Sequence, residues 1–124
     1  MILLLIALGG AVGSVTRYLL GGLVQRSFHP DFPIGTLAVN VLGCLLIGVF
    51  AKLFFHSQTA LPLRATLMIG FCGGFTTFSA FSNETLGLIL GGEWLRAGMY
   101  VLLSCALCLG ATAAGFAAGR SLNP

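Results

Sequence analysis

Apolar residues run along this chain in four long blocks, and the polar and helix-breaking residues gather mainly between them. The blocks extend from Ile2 to Val24, Ile34 to Phe55, Leu63 to Leu90 and Leu95 to Ala118. About 20 apolar residues cross a bilayer as helix. Each block therefore predicts one span, and the fold class expected is an all-α membrane protein, a single domain of four transmembrane helices over residues 1–124. The third block is longer than a span needs. Midway along it Gly73, Gly74, Thr76 and Thr77 stand almost side by side, all poor helix formers, and predict a helix that stops and restarts. Lipid cannot satisfy the amides and carbonyls that such a break frees, so the break must be buried in protein or face a water-filled path. The positive end of a restarting half-helix attracts anions, and freed carbonyls can coordinate a cation.

Composition narrows the field. With 57% hydrophobic and 7% charged residues the chain falls outside the range of soluble domains. Little sequence is left over for an enzyme module, and no basic patch offers a surface to nucleic acid, so neither is expected. The six Lys and Arg lie near block ends, Lys52, Arg64 and Arg120 on the N-terminal side and Arg26, Arg96 and Arg17 on the other. This tie gives no strong positive-inside signal, which predicts insertion in both orientations. Four short helices with polar stripes also need covering within the lipid bilayer, and an antiparallel homodimer would cover them. The run Ile2 to Leu8 mimics a cleaved signal, but it has no basic n-region and its apolar character continues past Gly13, so it reads as the first span. Cys44, Cys72, Cys105 and Cys108 all fall within spans. The pair Cys105-x-x-Cys108 lacks further ligands nearby and reads as soft packing residues.

Polar positions inside the spans carry the candidate chemistry. Gly9 and Gly13 have the spacing that lets another backbone approach closely. Arg17 either snorkels to the nearer interface or lies in an aqueous vestibule where it attracts anions. In the connector, His29-Pro30-Asp31 matches the tripeptide of J-domain co-chaperones without their charged helices; Pro30 and Pro33 read as a helix end and start. Asn40 is either interhelical glue or a donor facing a pore, while Lys52 and His56 read as interfacial. After the break, Thr77, Phe81 and Glu84 fall within about 60° of one another on a helix, with Phe78 beside Phe81. Two such rings are packing or, because a ring edge is positive, a lining for an anion in a dry, narrow path. Glu84 is the only acid deep in a span, a functional candidate by default that would repel an anion unless neutral, paired or near the mouth. The fourth helix carries Tyr100, Ser104, Cys108 and Thr112 at i, i+4 intervals. Such a stripe either bonds back to its own helix or presents O–H donors about 6 Å apart to a small dehydrated anion. Gly110, Gly115 and Gly119 with intervening Ala predict a tightly packed interface.

The stretch from Gly70 to Glu84, G-F-C-G-G-F-T-T-F-S-A-F-S-N-E, resembles the signature of the Fluc fluoride channels, also called CrcB, with Ala80 where that family usually has Thr. Gly9-Gly10-Ala11-Val12-Gly13 with Arg17-Tyr18 resembles the family's first-helix motif, and Pro33-Ile34-Gly35-Thr36-Leu37 with Asn40, Val41 and Gly43 resembles its second. The resemblance implies passive fluoride export across a bacterial cell membrane by a dual-topology antiparallel homodimer. It implies a fluoride pathway through Asn40, Thr77, Phe78, Ser79, Phe81, Glu84, Tyr100 and Ser104, with Cys108 a departure from the expected hydroxyl. It also implies a structural sodium ion (Na+) at the dimer interface, held by the backbone carbonyls of Gly73 and Thr76. The alternative is a small multidrug-type proton-coupled cation transporter, which uses a first-helix carboxylate that this chain lacks. A non-transporting assembly protein would have no need for Gly-Gly-x-Thr-Thr at midspan.

Overall fold

A computed structural model describes residues 1–28, 31–54 and 61–122. His29, Pro30 and His56 lie outside the described residues. Four helical spans long and apolar enough to cross a membrane follow one another, Ile2–Ser27, Ile34–Leu53, Leu61–Leu90 and Trp94–Ser121, and the chain is a multi-pass integral membrane protein. We label the elements α1 (Ile2–Ser27), α2 (Ile34–Leu53), α3 (Leu61–Arg64), α4 (Gly73–Phe75), α5 (Phe78–Leu90) and α6 (Trp94–Leu122), with a π-helical stretch Ala65–Cys72 joining α3 to α4.

The third span is broken, but two residues later than its glycines suggest. Gly73 and Gly74 stay helical, whereas Thr76 (φ −84°, ψ 157°) and Thr77 (φ −150°, ψ 111°) are extended. The physical cause is a side chain from another helix. Asn40 of α2 accepts from the Thr77 N–H at 2.7 Å and donates its amide to the Thr77 carbonyl at 3.1 Å, so one side chain replaces the helical partners of that peptide group.

The glycines instead bring backbones together. A Cβ on Gly9 would strike the Thr66 carbonyl, on Gly13 the Phe71 carbonyl and on Gly74 the Gly10 carbonyl, so α1 lies directly on the π-helical stretch and α4. In the same way Gly48 of α2 meets the backbone of Thr112 and Gly115 of α6 meets that of Leu45, which holds α2 and α6 in parallel contact. Gly119 joins that seam at Lys52, but Gly110 faces open space and does not. Val39, Ala65, Cys72, Phe75, Ala97 and Tyr100 are the buried apolar side chains among the described residues. Gly43 lies under the break, leaving room for the Thr76 methyl group and the Phe75 ring.

Candidate anion pathway

The restart of the third span sets the site. Thr77 caps α5, its hydroxyl accepting from the Ala80 N–H at 3.1 Å and lying 3.2 Å from the Ser79 hydroxyl. The cap and the Asn40 clamp together have a second effect. The Thr77 and Ala80 amides would be the i+4 donors to the Gly73 and Thr76 carbonyls, and both are diverted, the first to Asn40 and the second to Thr77 Oγ1. Gly73 is exposed, and among the described residues the Thr76 carbonyl accepts only a long contact of 3.5 Å from Arg17 Nη1. Two freed backbone oxygens are hard donors of the kind an alkali cation takes, so the residues present fit the sodium site that the motif implies.

Arg17 points inward at the break, which places it in a vestibule. The cavity there is about 980 Å³ and is lined by Arg17, Thr36, Thr77, Ser79 and Glu84 among others, with Asp31 and Glu93 also on its wall. Glu84 is held by two hydroxyls: Thr36 Oγ1 donates to Oε1 at 2.6 Å and Tyr100 O–H donates to Oε2 at 2.7 Å. Thr36 is a functional candidate that the sequence reading missed. Its signal was present, since it stands one helical turn before Asn40 and shares its face. Gln25 fixes that end of α2 by accepting from the Gly35 N–H at 2.9 Å and donating to the Phe32 carbonyl at 3.0 Å.

From this triad a row of rings leads away. Tyr100 is fully buried, with its ring centroid 5.2 Å from Phe81, which in turn lies 5.4 Å from Phe78. Phe78 is 78% exposed and so faces out of its own chain. A second cavity of about 370 Å³ is lined by Asn40, Thr77, Phe78, Phe81, Ser104 and Cys108 among others. Ser104 is buried there and its Oγ has no hydrogen-bond partner among the described residues. Thr112, at the end of the stripe, donates to the Cys108 carbonyl at 3.0 Å, so its hydroxyl is satisfied within its own helix. The structure thus brings Asn40, Thr77, Phe78, Phe81 and Ser104 onto one cavity and Thr77, Ser79 and Glu84 onto the other, with Thr77 common to both.

Hydroxyls, aromatic rings and one half-buried carboxylate gather about the broken span of a multi-pass membrane protein. Comparison with known proteins places it more closely. Residues 4–116 match the model of CrcB-like proteins (Camphor Resistance), and the chain belongs to the CrcB family. It is 50% identical over 120 residues, 96% of either chain, to the fluoride-specific ion channel FluC of Rhizobium etli. The FluC protein of the same name from Rhizobium leguminosarum bv. trifolii is 49% identical over 120 residues, again 96% of either chain. That of Shewanella baltica is 50% identical over 107 residues, 86% of either chain.

Proposed function

We infer that this chain is a fluoride-selective channel through which fluoride leaves the cytoplasm passively. The observation that carries the reading is Ser104: a buried hydroxyl with an unused donor, in a cavity walled by Phe78 and Phe81, is a site for a small acceptor. Leaving such a group unpaired costs about 1–3 kcal/mol, which an anion in transit would offset. Fluoride is small and strongly hydrated, so a path selective for it must replace water with O–H donors and positive ring edges while offering no charge strong enough to trap it. The Glu84 carboxylate accepts from Thr36 and Tyr100 and so orients both hydroxyls at the head of the ring row.

The working unit is an antiparallel homodimer in the bilayer. Support comes from the outward Phe78 ring, which can line a closed path only when a second copy covers it, and from the balance of basic residues at the two ends. In that dimer the Gly73 and Thr76 carbonyls would hold a structural sodium ion. When bound, it supplies a fixed positive charge that ties the two breaks together.

Fluoride and chloride efflux from liposomes containing the purified protein in sodium buffer, read side by side with ion-selective electrodes, tests the reading. Fast fluoride loss with retained chloride is expected. No fluoride loss from verified dimers would overturn it and redirect attention to proton-coupled cation uptake.

A further inference from the structure

Three of the four cysteines, Cys44, Cys105 and Cys108, line the same cavity as Ser104, Phe78 and Phe81. All four thiols are free. Cys44 and Cys108 belong to different helices, and the register of those helices opposes them. Gly48 of α2 meets Thr112 of α6, and each cysteine lies one turn before its partner in that contact, so the two side chains stand on facing helices of one seam and on the wall of one cavity. Both are half-buried, Cys105 is exposed, and Cys72 is buried away from the cavity. Among the described residues no group of three or more His, Cys, Asp or Glu is placed to hold a metal ion, which excludes a tetrahedral zinc-type centre. Two opposed sulfurs suit instead an ion that accepts two soft ligands.

We propose that Cys44 and Cys108 form a two-thiol site for a soft, thiophilic metal ion of the class of Cu(I), Ag(I) and Hg(II), and that a metal held there closes the pathway. The closure rests on the reading of this cavity as the fluoride path; the binding does not. With mercuric chloride, two S–Hg bonds form as two S–H and two Hg–Cl bonds break, and the two chloride ions are released. The two protons leave to water through the cavity, and no electron is transferred. The bridge fills the space beside Ser104 and ties α2 to α6.

The test uses the reconstituted protein, with mercuric chloride as probe, in a C72S/C105S background that leaves only the two thiols in question. Intact-mass measurement is expected to find one mercury per chain with the loss of two protons, and neither thiol then reacts with maleimide. Adding C44S or C108S leaves one thiol and removes the bridge. Fluoride efflux, measured against each variant's own untreated rate, is expected to fall by about tenfold or more in the two-thiol protein. It should recover with excess dithiol and stay unchanged in either one-thiol variant. Absence of the bridged mass in the two-thiol protein overturns the site. A bridged protein whose fluoride efflux is undiminished overturns the closure and the assignment of this cavity to the path. Untreated protein that passes no fluoride at all overturns the channel reading, while the mass still decides whether the thiol site exists.

Discussion

Ser104 separates what holds the fold from what serves the path. Its hydroxyl is buried without a partner among the described residues, so Ser104→Ala removes an unsatisfied group and should leave melting in detergent unchanged or slightly raised. On the proposed path the same change would delete one donor to the ion and should slow fluoride efflux by about tenfold, the equivalent of one hydrogen bond of about 1.4 kcal/mol. A variant that transports at the parent rate would remove Ser104 from the path. The rings divide similarly. Phe78 is largely exposed on its own chain, and Phe81 touches Tyr100. Replacing either with Ile should abolish or sharply reduce fluoride efflux while the protein still elutes as a dimer, and normal conduction by both variants would reduce the pair to packing. Ser104 and Tyr100 were legible in the sequence because an i, i+4 stripe is local. Thr36 was not, because its partner Glu84 is 48 residues away and a hydroxyl near a helix start has an ordinary use as a cap.

At the level of elements, the broken span was legible and its cause was not. Side-by-side poor helix formers pointed to a break between Gly73 and Thr77, and the structure puts it at Thr76 and Thr77. The agent is the Asn40 amide, 37 residues distant, and no local pattern discloses such a clamp. Sequence alone does not choose between glue and donor for Asn40; both of its polar atoms bond Thr77, and it also stands on the cavity wall. Asn40→Ala would orphan a buried N–H and C=O at about 1–3 kcal/mol each. It should lower the melting temperature as well as efflux, unlike Ser104→Ala. The adjacent glycines give a sharper contrast. A methyl group on Gly74 meets the Gly10 backbone, which cannot yield as a side chain would, while one on Gly73 meets nothing in its own chain. Gly74→Ala is therefore expected to lose folded protein and Gly73→Ala to keep native helix content by circular dichroism. Equal loss in both would mean that something other than the α1 contact makes glycine necessary there.

For the whole molecule the deciding quantity is the distribution of basic residues. Arg17 entered the sequence count by its nearer interface, but its guanidinium turns inward to the Thr76 carbonyl, leaving Lys52, Arg64 and Arg120 at one end against Arg26 and Arg96 at the other. Three against two is still close to balance, so the two orientations should be made in comparable numbers. The balance can be broken without touching the path. Arg26 is exposed, and Arg96 forms only a surface pair with Glu93, worth about 0–1 kcal/mol. R26Q/R96Q changes the count to three against none and should send nearly every chain in one way; K52Q/R64Q/R120Q changes it to none against two and should send nearly every chain in the other. Either variant alone would then lack an antiparallel partner, and fluoride efflux from cells expressing it should fall to background. Producing the two together should restore efflux, since each supplies the orientation the other has lost. Rescue of that kind is specific to an oppositely inserted pair, because two merely damaged proteins would stay inactive when mixed. If each variant alone conducts as the parent does, while labelling of single cysteines from outside the cell verifies one orientation, the working unit is not the antiparallel dimer.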